Sequence, residues 1–410
     1  MSSILFRNAK LVCPAGGVSE GDLLVQGDTI AAVGTVDAPA DAPADAEIVD
    51  VAGKVLAPAL IDLGVFAVDK GACRFGGIAR VGLMPDQSPV LDDPGIVRRA
   101  AVSGKPQLWV HPLAAATQGL KGEDLAEIAI NASAGARAIA TGRRWIANTG
   151  TMRKALLYAR DLNLTVVAHA EDGGLADGTV ATAGETAARL GLPSAPSIAE
   201  PLAIARDLML AEETGAKLHF RQVTTAAGFD LIRAAKRRGV QVTCGITPAH
   251  MLLSDIAISD FRTFARLSPP LRDESDRQAA LAAVADGTID VIASGHDPRG
   301  PEAKRLPFAD AEPGMAGAET LLALSLTLVR DGKLGLDQLF ALLAANPAKI
   351  LGLESGALKP GLPADLIILD PETPWIIDAR KMNARAGNTP FDRLPTQGRV
   401  LQLYKGGALV

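Results

Sequence analysis

Two runs near the start of the chain, Ile4 to Val12 and Asp22 to Val33, place apolar side chains at alternating positions and predict short strands with one buried face. An Ala/Pro/Asp-rich stretch, Asp37 to Asp45, follows and reads as a loop. From about Val55 the period changes, and short β-type runs alternate with longer runs at helical spacing. Strands are predicted over Leu56–Val65, Ile78–Met84, Gln107–Pro112, Ala136–Ala140, Leu164–Ala170, Lys217–Val223, Gln241–Pro248 and Ile289–His296. Helices are predicted between them, among others Met152–Asp161, Ile198–Thr214, Gly228–Arg238 and Arg277–Ala285, several with a glycine at the stop. Eight β/α units over roughly 300 residues predict an α/β chain folded as a (β/α)8 barrel, which takes ~250 residues or more. The runs Asp365–Leu369, Trp375–Ile377 and Gly398–Tyr404 return to β character. Neither end can bury one face alone, so residues 1–54 and 354–410 are expected to form one small composite β-sandwich domain beside a barrel of residues 55–353.

Composition narrows the function classes. The 410 residues are 48% hydrophobic, enough for a large core, and 41 basic against 46 acidic residues leave a net charge of -5. No basic footprint for nucleic acid or an acidic membrane results. Lys236, Arg237 and Arg238 lie just before Gly239, where cations meet a helix C-terminus. Cys13, Cys73 and Cys244 have no metal-type spacing and cannot all pair, which points to a reducing, cytoplasmic setting, and neither a leader nor a long apolar span is visible.

Chemistry in such a barrel gathers where the strands run into their following loops. At the end of the first barrel strand, Pro58 to Gly71 reads PALIDLGVFAVDKG. That run resembles the dihydroorotase signature P-G-L-I-D-x-H-V-H-x-R-x-P-G, with Gly64 and Phe66 where two histidines stand. The resemblance continues in order through Met84-Pro85, Thr117-Gln118-Gly119-Leu120-Lys121-Gly122, His169-Ala170-Glu171-Asp172, Ala199-Glu200, Val223-Thr224-Thr225-Ala226, Pro269-Pro270-Leu271-Arg272, Asn346-Pro347-Ala348 and Asn388-Thr389-Pro390-Phe391-Asp392. The last of these favours a dihydroorotase over a hydantoinase.

The resemblance implies a site with one or two zinc ions, held by the strand-one histidines, a bridging carboxylate after strand four, histidines ending strands five and six, and an aspartate ending strand eight. At those places this chain has Gly64, Phe66, Thr141, His169, Gln222 and Gly295, so only His169 is kept. The arginine and asparagine that such proteins use for the substrate carboxylate correspond to Val68 and Ser88. One imidazole does not hold zinc, since a catalytic site has three protein ligands and an open position. Without zinc, water loses up to ~12 kcal/mol of help toward hydroxide. Positioned acid–base groups return only ~10²–10⁴-fold in rate.

The other chemistry-bearing residues have ordinary structural roles available. His169, between two alanines at a strand end, reads as a satisfied structural group. Glu171 and Asp172 read as local caps. His296 and Asp297 would need a register slip to serve the old site, which would turn their neighbours over. His219 and His250 fall where dihydroorotases carry histidines, His111 has no recognisable partner, and Cys244 reads as a buried thiol. No phosphate loop, dinucleotide fingerprint or nucleophile elbow competes.

The resulting expectation is a catalytically inactive dihydroorotase-like protein of pyrimidine biosynthesis. It would have no cofactor, form a homo- or hetero-oligomer, and stabilise aspartate transcarbamoylase as its partner. The alternatives are an active dihydroorotase with an atypical site, interconverting dihydroorotate and N-carbamoyl-aspartate, a small-molecule sensor reusing the cleft, and a structural homo-oligomer with no transcarbamoylase involved.

Overall fold

The computed structural model describes residues 3–14, 16–34, 43 and 45–410. The predicted loop Asp37–Asp45 lies, apart from Pro43 and Asp45, outside the described residues.

Five strands come first: β1 (Ser3–Cys13), β2 (Gly17–Gln26), β3 (Thr29–Gly34), β4 (Glu47–Asp50) and β5 (Val55–Pro58). The barrel strands are β6 (Leu60–Val65), β7 (Ile78–Leu83), β8 (Trp109–Ala115), β9 (Ala138–Ala140) and β10 (Thr165–Ala168). After a small pair, β11 (Ala181–Thr182) and β12 (Ser194–Ala195), come barrel strands β13 (Lys217–Phe220), β14 (Val242–Ile246) and β15 (Val291–Ile292). The chain ends with β16 (Leu366–Ile376), β17 (Pro395–Lys405) and β18 (Ala408–Leu409).

The eight barrel strands run parallel in the order β6-β7-β8-β9-β10-β13-β14-β15, as expected for a (β/α)8 barrel. Most of their residues are buried on both faces, so they read as apolar runs and not as strict alternation. Side-chain and backbone bonds link the two outer strands of this sheet. Ser294 N–H donates to Asp62 Oδ1 at 2.9 Å, Ser294 Oγ bonds the other oxygen, and Phe66 N–H donates to the His296 carbonyl at 2.9 Å. Ile61, Leu63, Leu113, Ala138, Val167 and Val291 fill the interior.

The helices start where side chains can take their free N–H groups. Asn148 accepts from Thr151, Thr225 from Gly228 and Asp273 from Asp276, opening helices Thr149–Asp161, Ala226–Arg237 and Glu274–Ala285. Gly215, at φ +68°, ends the helix Ala199–Thr214.

The predicted strand Leu56–Val65 is two strands in different sheets. Ala59 N–H donates to the Asp365 carbonyl, and Leu60 N–H turns to Gly77 in the barrel. Before that crossing, β5 pairs parallel to β1 and antiparallel to β16. The outer sheet therefore runs β3-β2-β1-β5-β16-β17-β18, with β4 also on β1, and it joins the two ends of the chain. Phe6, Leu23, Ile30, Leu56, Leu366 and Tyr404 share its core, with Phe6 and Tyr404 edge to face at 5.0 Å. The predicted runs Asp365–Leu369 and Trp375–Ile377 are one strand, irregular between Asp370 and Pro374. Among the described residues no helix is long and apolar enough to cross a membrane.

One buried ion pair ties barrel to sheet. Arg80 of β7 places Nε at 2.7 Å and Nη2 at 2.6 Å from Asp365 Oδ2, while Asp365 Oδ1 accepts Gly406 N–H at 2.8 Å. Asp365→Ala strands a buried guanidinium and is expected to lower stability by about 3–5 kcal/mol, measured as a lower urea midpoint. An unchanged midpoint would show that the pair does not join the two parts.

Candidate functional site

At the mouth of the barrel five of the six positions that a metal site would use are filled in other ways. Gly64 has φ +101°, a conformation that side chains rarely adopt, and a Cβ there would meet Cγ and Cδ of Arg221 at 3.4 Å. The aliphatic stem of Arg221 thus occupies the space beside Gly64. Phe66 is buried, and its ring centroid lies 3.7 Å from Arg143 Cζ and 5.1 Å from Arg221 Cζ. Thr141 Oγ1 accepts the His169 backbone N–H at 2.9 Å. Gln222 Oε1 accepts Arg221 Nη1 at 2.6 Å. Gly295, at φ +61°, turns the strand-eight loop, and a side chain there would press on Thr247 and Met315.

The retained imidazole is enclosed by charged groups. His169 Nδ1 lies 3.4 Å from Arg221 Nη2, which can only donate, so its Nε2–H faces Glu171 Oε2 at 3.5 Å. Burial would raise the Glu171 carboxyl, but His169 and Arg272 outweigh it and hold it near about 2. Arg272 Nη2 donates to Glu171 at 2.8 Å, its Nε to Thr224 Oγ1 at 2.9 Å and its Nη1 to Thr182 Oγ1 at 3.2 Å. Thr224 Oγ1 donates in turn to Glu200 at 2.6 Å. The fully buried Glu200 also accepts both backbone N–H groups of Thr224 and Thr225 at 2.8–3.0 Å and the Thr225 hydroxyl at 2.7 Å. Motifs far apart in the chain, Ala199-Glu200, Thr224-Thr225 and Pro269–Arg272, are one hydrogen-bonded frame around the mouth.

Asp297 joins the site where the sequence alone argued against it. Its Oδ2 accepts Arg143 Nη1 at 2.6 Å and Arg299 Nη2 at 3.1 Å. Arg143 is also anchored through its backbone N–H to Asp86 at 3.0 Å. His296 turns away: it is fully buried, accepts Ala318 N–H at Nδ1, and sets Nε2 3.6 Å from Asp69. Burial alone would raise Asp69, yet His296 and the Arg385 N–H keep it below its usual value. Asp172 caps a short turn by accepting Gly174 N–H at 2.8 Å, as expected. Val68 is half-buried and Ser88 exposed.

The other histidines are structural. His250 accepts the Thr247 hydroxyl at Nδ1 and donates from Nε2 to the Pro269 carbonyl at 3.0 Å, and burial pushes it down to about 4. Burial likewise lowers His219, beside the Thr243 hydroxyl, and His111, beside Arg80, to about 3. The Cys244 thiol is buried against the Thr288 carbonyl, which raises its pKa.

A cavity of about 560 Å³ opens over this frame, bordered by Lys121, Thr141, Arg143, His169, Glu171 and Ser268. That volume falls in the ~300–1,000 Å³ range of small-molecule sites. Sequence reading did not single out Arg221 or Arg272. The available signal was a cation inside each apolar run, which a strand or loop end buries only when something meets its charge.

The chain belongs to the amidohydrolase family, whose sequence profile matches residues 111–410. Within that class it is similar to the protein named dihydroorotase of Syntrophotalea carbinolica, 40% identical and covering 97% of this chain and 96% of the relative. It is also similar to the dihydroorotase of Pelobacter propionicus, at 37% identity over 100% and 99%. Among solved structures it resembles the L-hydantoinase of Arthrobacter aurescens, with TM-score 0.88, 24% identity and coverage of 100% and 96%, a likeness of fold.

These relatives correct two expectations. Full-length similarity to dihydroorotases overturns the non-catalytic scaffold for aspartate transcarbamoylase and favours a dihydroorotase-like enzyme. The same membership overturns the expectation of no cofactor and points to the metal, zinc, of the family. The side chains at the mouth do not fit that ion. Arg221 fills the place beside Gly64, Phe66 is stacked against two guanidiniums, and Thr141 and Gln222 are spent on internal bonds. Among the described residues no group of three or more His, Cys, Asp and Glu is placed to hold a metal.

The Glu171 network gives a pH signature. A carboxyl held near about 2, against its ordinary 4.5, contributes stability that is fully present above pH 4.5 and lost as pH falls toward 2. Glu171→Gln is therefore expected to cost about 1–3 kcal/mol at neutral pH. The gap from wild type should close on acidification, followed by thermal denaturation across that range. A gap independent of pH would show that Glu171 acts by packing.

Proposed function

We propose that the chain acts in the dihydroorotase class, opening or closing the cyclic amide of dihydroorotate to and from N-carbamoyl-aspartate. Full-length similarity to dihydroorotases carries the reading. The cavity over the strand ends, where barrel chemistry sits, supports it with room for a six-membered ring. His169 borders that cavity with its Nε2–H directed at Glu171, and a carbonyl oxygen or a departing ring nitrogen entering there would compete with Glu171 for that donor. Asp297, carrying two arginine bonds on Oδ2, keeps Oδ1 for a water. Acid–base groups of this kind supply ~10²–10⁴-fold, so slow turnover is expected.

A second reading rests on the six positions at the mouth, five of which hold no ligand side chain. On it, the cavity binds the ring or its opened product without turnover, as a sensor. Both are tested by following dihydroorotate and N-carbamoyl-aspartate chromatographically with purified wild type, His169→Ala and Asp297→Asn. Ring opening that falls on the order of 10²-fold in either variant supports the hydrolase. Wild type indistinguishable from buffer sinks it, and a ligand-induced rise in melting temperature then supports the sensor.

A further inference from the structure

Arg221 is 4% exposed, and among the described residues no carboxylate lies within ion-pair distance of it. Nη1 donates to an uncharged amide oxygen, Nη2 reaches His169 at 3.4 Å, and Nε has no partner. Of the nearby acids, Asp297 is engaged with Arg143 and Arg299 and Glu171 with Arg272, while Asp86, beyond ion-pair distance of Arg221, is bound through Oδ1 to Arg143 and leaves Oδ2 unpartnered. A buried cation with one free donor and no counter-ion is costly, and the Phe66 ring offsets only part of that.

A small space touches the same side chain. A cavity of about 20 Å³ touches Arg221, Arg143, Gln222 and Asp297, and a pocket of ~10–15 Å³ already admits one water-sized atom group. Arg143 and Ser268 border both this pocket and the large cavity. The two spaces are therefore neighbours, separated by no more than these side chains.

We infer that Arg221, with Arg143, is a carboxylate-binding site at the floor of the mouth, taking the terminal carboxylate of the ligand that fills the large cavity. A planar guanidinium matches a planar carboxylate, whereas a tetrahedral sulfate or phosphate is too bulky for the small pocket. The inference rests on the cyclic-amide reading only for the choice of carboxylate.

Calorimetric titration of the full chain tests it with N-carbamoyl-L-aspartate, succinate, sulfate and dihydrouracil, a related ring with no carboxylate. Wild type is expected to bind the two carboxylates, with affinity lowered about tenfold or more by Arg221→Met and by Arg143→Met. Dihydrouracil affinity should fall far less than carboxylate affinity in Arg221→Met, since Arg221 does not border the large cavity. The buried cation also predicts that ligand-free Arg221→Met melts no lower than wild type, whereas an arginine serving only structure would lower the melting point. Carboxylate affinity unmoved by both variants overturns the site, as does sulfate binding as well as carboxylate, or no carboxylate binding at all. Should Arg221→Met fail to fold, Arg143→Met, at a partly exposed residue, decides alone. Turnover in the same samples separates the two readings. Arg221-dependent carboxylate binding without ring opening keeps the site and removes the hydrolase; ring opening with carboxylate affinity unmoved by both variants does the reverse.

Discussion

A guanidinium held out of water must be met by dipoles, by π-electrons or by an anion, and Arg221 is met by the first two alone among the described residues. The mouth of the barrel is arranged around that fact. Gly64 has a positive φ that leaves the place to glycine, and the stem of Arg221 lies in van der Waals reach beside it. Phe66 supplies the ring, Gln222 the amide oxygen, and Arg143 stacks on the same ring while bound to Asp297. A cationic centre is thus present at the strand ends, built from arginine.

Around it, a polar frame fixes the loops. Glu200 takes four N–H and O–H groups of the Thr224-Thr225 turn, and Arg272 joins that turn to Glu171. A buried carboxylate is tolerable because every oxygen is satisfied and a guanidinium stands beside it. The same frame orients His169, so the one retained ligand-type side chain is set by Glu171 of its own loop, itself held by Arg272, and by Arg221 at the end of strand six. Amidohydrolase membership and this rebuilt mouth belong to one molecule: the barrel is held by its packed interior and by Asp62 to Ser294, and of the site's own side chains Phe66 is part of that interior.

All eight barrel strands and four of the helices between them were legible, because buried parallel strands and amphipathic helices differ in period and length. The split of Leu56–Val65 was not. An unbroken apolar run does not say that Ala59 passes from one sheet to another, since that depends on the distant Asp365 carbonyl. Asp297 shows the same limit. Strand periodicity argued only against its taking the place of the strand-eight aspartate, whereas Gly295 leaves the strand conformation and Asp297 lines the mouth beside Arg143.

The sequence by itself determined the barrel, the joining of both chain ends in a second sheet, and the identities at Gly64, Phe66, Thr141, His169, Gln222 and Gly295. These follow from local period and from residues read in order. The tertiary structure decided what replaced them. Arg221, Arg143 and Arg272 become a site only when strands four, six and seven converge, and their unmet or shared charge depends on burial and on partners up to 154 residues away, as between Arg143 and Asp297. Charge pairing in a low-dielectric interior is a property of distances in space, and those have no trace in local pattern.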